Sequence, residues 1–236
     1  MATEPRIRRQ MLDDQGESFE VTFIDVPEPR LSVLFGVGAG GDPHRHLPLL
    51  MALAARGCTV ATPHFERMKS LVPTVHELEV RARRHQLAFE EIARQGIPAA
   101  GVGHSIGAVM MVMLAGGVAW TMPGRPARVP TEKRLQRLAL MAPASDFFRG
   151  PDALEAVRVP IRAWVGGKDS ITPPAGAEAL KMCLAGKAEM EMRVVADAGH
   201  FSFMNVPPPH ATETLPDRDA FLRQLAQEIA SFILAS

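Results

Sequence analysis

The chain has 236 residues with 26 acidic and 26 basic side chains, so its formal net charge is zero. A balanced molecule has no strong field to attract nucleic acid, an anionic membrane or a polyanionic substrate. Two cysteines are too few for a disulfide framework. Length and composition therefore favour one globular domain spanning 1–236 and a small-molecule partner.

The N-terminal segment MATEPRIRRQ lacks the apolar stretch of a secretory signal. No later segment has the run of apolar residues that is needed to span a bilayer. We therefore expect a cytoplasmic protein that does not associate with membranes.

Short runs of apolar and β-branched residues alternate with segments of helical periodicity along the chain. This alternation is typical of a mostly parallel sheet with helices on both faces. It predicts an α/β fold with a doubly wound sheet of about seven or eight strands. The predicted strands lie near 5–12 and at 19–26, 30–37, 58–65, 98–105, 137–143, 159–167 and 191–197.

Several helices have a recognisable start, where a side-chain oxygen precedes the first turn. These starts are Asp42 before Pro43, Thr74 three residues before Glu77, and Thr172 before Pro173. A last helix is predicted at about 217–234, where one apolar stripe would pack on the sheet. The residues of this stripe are Leu222, Leu225, Ala226, Ile229, Phe232 and Ile233.

Two irregular stretches bear on access to any site at the sheet edge. The stretch 118–136 is rich in Pro and Arg and predicts a long surface loop, either a solvated connection or a flap over a substrate. Between Pro143 and Pro160 there are too few residues for a helical cap. We therefore expect no large cap domain and a rather open pocket.

The five residues Gly103 to Gly107 read GHSIG, follow an apolar strand and precede a helical segment. A sharp strand-to-helix turn holds the central serine in a strained conformation, and small residues on both sides let neighbouring backbone pass. The pattern therefore predicts that Ser105 is a nucleophile. The helix N-terminus points free N–H groups at the reacting centre, so the N–H of Ile106 is a candidate oxyanion donor.

A serine hydroxyl needs a base within hydrogen-bond reach, and that base needs a third group to fix its tautomer. Asp169 follows one predicted strand and His200 follows the last one. Both loops leave the carboxyl ends of parallel strands, where open α/β sheets place ligands. We predict a triad of Ser105, His200 as proton shuttle and Asp169 as orienting acid, with Asp146 as the alternative acid.

The glycine-rich loop 36–44, GVGAGGDPH, follows another predicted strand. Its glycines allow the close approach and positive φ that an oxyanion hole lined by N–H groups requires. Two registers are open. Ala39 supplies the second N–H if VGAGG forms the turn, which is the register we favour, and Val37 supplies it if FGVG does.

The motif DPHRH contains two residue types that bind metals, His44 and His46. Residues two apart point to different sides of a helix, and no third ligand has supportive spacing. We therefore predict no metal site. Acyl transfer to a serine also needs no organic cofactor.

These motifs together resemble the α/β-hydrolase superfamily, from about Phe19 to the C-terminal helix. The segments LALMAPASDFF, WVGGKDSITPP and DAGHFSFMNVPPP are similar to the dienelactone-hydrolase-like group, which also resembles platelet-activating-factor acetylhydrolases. The resemblance implies a single-domain α/β-hydrolase fold with Ser105 as nucleophile, Asp169 as acid and His200 as base. It implies hydrolysis of a small carboxylic ester or thioester through an acyl-enzyme.

The chain departs from that pattern at two places. Dienelactone hydrolases use cysteine where this chain has Ser105, so their substrate is not carried over. The histidine that usually opens the oxyanion loop is replaced by Val37, or by Phe35 in the other register. The same triad also serves acyltransferases, peptidases and C–C bond hydrolases, and a catalytically silent binding protein can keep the fold.

Overall fold

The computed structural model describes residues 4–70, 72–121, 124–212 and 214–235. Its strands are β1 (Arg6–Asp14), β2 (Glu17–Asp25), β3 (Leu31–Gly36), β4 (Cys58–Pro63), β5 (Ala99–His104), β6 (Ala119–Thr121), β7 (Arg125–Ala127), β8 (Leu135–Met141), β9 (Ile161–Gly166) and β10 (Met190–Val195). Eight of them form one sheet in the order β1-β2-β4-β3-β5-β8-β9-β10. The pairs β1–β2 and β2–β4 are antiparallel, and the other pairs are parallel.

The prediction of a mostly parallel sheet is confirmed, and its eight strands match the eight apolar runs to within a few residues. The central strands β3, β4 and β5 are buried at every position. Strands covered on both faces read as continuous apolar runs, which is why the sequence pattern located them.

The helices are α1 (Leu47–Ala54), α2 (Val75–Glu90), α3 (Ile106–Leu114), α4 (Pro174–Leu184) and α5 (Arg218–Ile233). The apolar side chains of α1 and α5 bury one face of the sheet, and those of α2, α3 and α4 bury the other. The predicted apolar stripe of the last helix is buried throughout. The single-domain, doubly wound α/β prediction is therefore confirmed.

Two of the three predicted helix starts have the expected caps. The Thr74 hydroxyl accepts the N–H of Glu77 at 3.1 Å, and the Glu77 carboxylate accepts the N–H of Thr74 at 2.7 Å. Asp42 accepts the N–H of His44 at 2.9 Å and begins a short 3-10 turn ahead of α1. Both contacts satisfy N–H groups that the first turn of a helix leaves without a partner.

The third predicted cap is wrong. Helix α4 begins at Pro174, and its N-cap residue is Pro173, which makes no side-chain hydrogen bond. The hydroxyl of Thr172 lies one position too early to cap the helix. It points instead toward Asp169.

The prediction of a loop through 118–136 is wrong in part, because β6 and β7 pair there as a small antiparallel hairpin. The run of residues that forms each strand is too short to give a sequence pattern. Residues 122 and 123 of this stretch lie outside the described ranges. Trp120 of β6 packs so closely on the chain at Gly150 that a Cβ there would lie 2.3 Å from the indole ring.

The described segment between β8 and β9 contains turns and one short 3-10 helix, Ser145–Phe148. This confirms the prediction that no large cap domain is inserted there. Across the described ranges, we find no helix that combines the length and apolar character needed to cross a bilayer.

Candidate active site

Ser105 is the single residue that connects a strand to a helix. Strand β5 ends at His104 and α3 begins at Ile106, so one residue makes the whole turn. Ser105 has φ 57° and ψ −122°, a conformation that costs energy in a residue with a side chain. The geometry is that of the predicted nucleophile elbow.

Close backbone contacts explain the glycines around this serine. A Cβ on Gly107 would lie 2.0 Å from the carbonyl oxygen of Gly36, and a Cβ on Gly103 would lie 2.6 Å from the backbone of Gly107. The end of β3, the end of β5 and the start of α3 therefore meet at distances that only glycine permits.

The structure brings the three predicted triad residues together. Nε2 of His200 lies 3.0 Å from Oγ of Ser105, and Nδ1 of His200 lies 2.8 Å from Oδ2 of Asp169. Asp169 follows β9, and His200 begins a short 3-10 turn after β10. Both contacts are within hydrogen-bond reach, so the arrangement can pass a proton from the serine to a histidine oriented by a carboxylate.

A pair of glycines lets the two loops that carry Asp169 and His200 meet. A Cβ on Gly166 would lie 2.3 Å from the carbonyl oxygen of Ala198. A Cβ on Gly167 would lie 2.4 Å from that of Ala196. In the sequence WVGGKD, the two glycines are therefore needed for this close backbone contact, and the aspartate is the predicted acid.

The Asp169 carboxylate is fully buried and has several hydrogen-bond donors. Its Oδ1 accepts the N–H groups of Ile171 and Thr172, both at 2.8 Å. Its Oδ2 faces His200 and accepts the Thr172 hydroxyl at 2.7 Å. Burial raises the pKa of Asp169, but the hydrogen bonds from His200 and Thr172 outweigh it and hold the pKa below its ordinary value. The group is therefore charged at neutral pH.

Thr172 is a site residue that the sequence analysis missed. Its hydroxyl contacts Oδ2 of Asp169, lies 3.0 Å from Nδ1 of His200 and lies 3.2 Å from the carbonyl oxygen of Ala142. The spacing D-x-x-T was the available signal, because a side chain three residues on returns to an aspartate in a tight turn. A proline after Thr172 suggested a helix cap instead.

The alternative acid is exposed and has a different partner. The Asp146 side chain is 73% exposed and pairs with Arg149 at 2.7 Å. Asp197, which is close to His200 in sequence, pairs with Lys168 at 2.8 Å. Geometry therefore favours Asp169 as the acid.

The loop after β3 lies beside the serine. A Cβ on Gly38 would lie 3.5 Å from Cβ of Ser105, and Ala39 lines both of the cavities that Ser105 lines. Val37 is buried, with 2% of its surface exposed, and its carbonyl oxygen packs against Gly107. This placement favours Ala39 over Val37 as the second oxyanion donor.

Two cavities open beside Ser105. One has a volume of about 370 Å³ and is lined by the loop after β3 together with Arg67, Phe201, Met204 and Pro208. The other has a volume of about 540 Å³, and its apolar lining residues include Val72, Trp120, Phe147 and Ile171. Trp120 comes from the stretch 118–136, so part of this stretch contacts the site.

Two further buried histidines form a row of ring contacts with His200, each ring tilted against the next. The rings of His104 and His200 have centroids 5.0 Å apart, and those of His46 and His104 are 5.2 Å apart. Nε2 of His104 lies 3.0 Å from the backbone oxygen of His200. Burial lowers the pKa of His46 to about 3 and holds that of His104 well below its ordinary value. Both rings are therefore uncharged at neutral pH.

No family model and no curated protein sequence matches this chain. Solved structures do match it. A dienelactone hydrolase from Anabaena variabilis has a TM-score of 0.67 at 16% identity, with 97% of each chain covered. A hydrolase described as CIB-like from Thermoplasma acidophilum has a TM-score of 0.64 at 15% identity, covering 96% of this chain and 99% of that one.

A third match is Thermogutta terrifontis esterase 2, described as phosphoramylated by tabun. It has a TM-score of 0.64 at 13% identity and covers 99% of this chain and 95% of its own. At these identities the likeness concerns the fold. The chain therefore has the α/β-hydrolase fold.

We predict that acid weakens the fold through the buried histidines. Below about pH 6.5 the unfolded chain binds protons that His46, with its pKa held at about 3, does not bind in the folded state. The free energy of unfolding should therefore decrease as the pH is lowered below about 6.5. The decrease should be up to about 1.4 kcal/mol per pH unit for each such histidine. Urea unfolding at about pH 5 and about pH 7.5 measures this slope.

The variant His46→Phe tests the origin of the slope. Neither ring nitrogen of His46 has a hydrogen-bond partner among the described residues, so phenylalanine should preserve stability near neutral pH. The acid-dependent loss should be smaller than in the wild type. Equal slopes in the two proteins would contradict the assignment.

Proposed function

We propose that this protein is a serine hydrolase that cleaves a carboxylic ester or thioester of a small molecule through an acyl-enzyme at Ser105. The observation that carries the proposal is the continuous contact from Oγ of Ser105 through His200 to Asp169, at 3.0 Å and 2.8 Å. This chain of contacts begins at a serine whose φ is 57° and which lies in a strand-to-helix turn.

The proposed mechanism uses groups of this chain. His200 takes the proton of the Ser105 hydroxyl through Nε2 as the oxygen attacks the acyl carbonyl. The charged Asp169 stabilises the imidazolium that forms. The N–H groups of Ile106 and Ala39 are the proposed donors to the oxyanion.

His200 then gives the proton to the departing alcohol or thiol, which leaves the acyl group on Ser105. A water molecule, deprotonated by the same histidine, attacks this acyl group and releases the acid. Asp169 keeps Nδ1 of His200 protonated throughout, so Nε2 is free to accept a proton in each half-reaction.

The two cavities support a small two-part substrate. Ser105 lines both of them, and their volumes are about 370 Å³ and 540 Å³. An ester with its carbonyl at the serine would place its acyl part in one cavity and its alcohol part in the other. The larger cavity, with Trp120 and Phe147, offers apolar surface. The names of the structural neighbours, which include esterases and a dienelactone hydrolase, agree with this class of substrate.

We predict that Ser105→Ala lowers the hydrolysis of p-nitrophenyl acetate by about 10³-fold or more, because the variant lacks the nucleophile. It should also abolish labelling by a fluorophosphonate. The matched control is Ser231→Ala, which changes an exposed serine of α5 and should retain both activities. Absence of labelling in folded wild type would instead favour a binding protein.

We predict that Asp169→Asn lowers kcat by about 10³- to 10⁴-fold, because an amide presents the wrong orienting group to Nδ1 of His200. Asp146→Asn should change kcat by less than about threefold, because this exposed carboxylate pairs with Arg149. Steady-state kinetics on the same ester compare the two variants. The reverse ranking would transfer the acid role to Asp146.

We predict that Thr172→Val lowers kcat by about tenfold, because it removes a hydrogen bond to the charged Asp169. Thr172→Ser retains the hydroxyl and should restore most of the rate. The change should affect kcat more than KM, because Thr172 acts by orienting the acid and the base. Equal rates for the valine and serine variants would refute this role.

A further inference from the structure

A second group of polar side chains lies outside the triad, where the loop after β3 meets the end of β4. Asp42, His44 and His64 each offer a ligand atom, and these atoms lie within 4.8 Å of one another. Nδ1 of His44 lies 2.8 Å from Oδ1 of Asp42. The rings of His44 and His64 are 5.3 Å apart between centroids. The parallel pairing of β3 with β4 brings the two histidines to the same edge.

We propose that Asp42, His44 and His64 bind a divalent transition-metal ion, with zinc as the ion to test. Two imidazole nitrogens and one carboxylate oxygen are a donor set that zinc accepts, whereas magnesium and calcium prefer oxygen ligands. All three residues are half-buried, so small rotations can bring the ligand atoms to the distances that zinc requires. The site is independent of the proposed hydrolase activity.

The surroundings of His64 suit a metal ligand. Its Nε2 lies 2.8 Å from the Thr22 hydroxyl, and histidines that bind metals usually have such a partner on one ring nitrogen. Its Nδ1 lies 4.0 Å from a carboxylate oxygen of Glu20, which is near enough to offer a fourth ligand.

One nearby group opposes the metal. Nη2 of Arg9 lies 2.5 Å from Nε2 of His44, and its Nε lies 3.6 Å from Oε1 of Glu20. The guanidinium therefore brings positive charge to the site, and it contacts the ring of His44, one of the three proposed ligands. Its side chain is 57% exposed, so it can move into solvent when a cation binds. Arg9 should weaken metal binding, and its removal should strengthen it.

The position of the site indicates a structural effect. Asp42 ends the segment that begins at Gly38 and includes Ala39, and this segment is hydrogen-bonded to the chain beyond His64. Phe65 donates to the carbonyl oxygen of Gly41 at 3.0 Å, and Met68 donates to that of Ala39 at 2.8 Å. A metal ion held by Asp42 and His64 would cross-link the same two segments. Its binding should therefore raise Tm.

The experiment measures zinc binding to the full chain after treatment with a chelator, by isothermal titration calorimetry. We expect one zinc ion per chain, and an affinity at least about tenfold lower in His64→Ala and Asp42→Asn. Arg9→Gln retains all three ligands and should bind more tightly. His76→Ala changes an exposed histidine of α2, and His200→Ala changes the triad base; both should bind zinc like the wild type.

Cobalt provides a spectroscopic check, because its visible absorption reports the coordination of the bound ion. The wild type should give a cobalt spectrum that His64→Ala loses. If His64→Ala fails to fold, Arg9→Gln remains a test with the opposite sign. The proposal is overturned if the wild type binds no zinc at millimolar concentration, if the folded His64→Ala binds like the wild type, or if Arg9→Gln does not bind more tightly. Loss of binding in His200→Ala would also overturn it, by moving the ion to the triad.

Discussion

The crossing of three backbone segments at Gly36, Gly103 and Gly107 determines where the reacting groups of this site lie. A single added Cβ on Gly107 would come within 2.0 Å of the carbonyl oxygen of Gly36. Because the segments approach so closely, Ser105 takes a positive φ and α3 begins at the next residue. The same contact holds the loop after β3 beside the serine, so it joins the two segments that carry the proposed oxyanion donors, Ala39 and Ile106.

Much of this arrangement could be predicted from local sequence. The buried strands are continuous apolar runs, and the elbow needs its glycines within two residues of Ser105, so both leave a pattern at short range. Asp169 and His200 were located because each follows a strand whose carboxyl end lies at the same edge of a parallel sheet. Contact between these residues, which are distant in sequence, was therefore a geometric expectation.

The features that the sequence did not predict have a common physical origin. Thr172 precedes a proline and resembles a helix cap, but its hydroxyl finds a buried carboxylate, and only the fold of the turn shows this. The hairpin of β6 and β7 is stabilised by packing of Trp120 on a distant segment rather than by strand-forming sequence. His64 comes close to His44 only through the pairing of β3 with β4. Each contact depends on long-range register, which local patterns do not contain.

The two cavities that share Ser105 have a consequence for the timing of the proposed reaction. An ester with one part in each cavity would displace solvent from both. Departure of the first product empties one side while the acyl group still occupies the other. In the proposed reaction, the vacated cavity would be the route by which the hydrolytic water reaches His200. An added alcohol that fits this cavity better than water would intercept the proposed intermediate, so the shape of the emptied cavity would decide between hydrolysis and transfer.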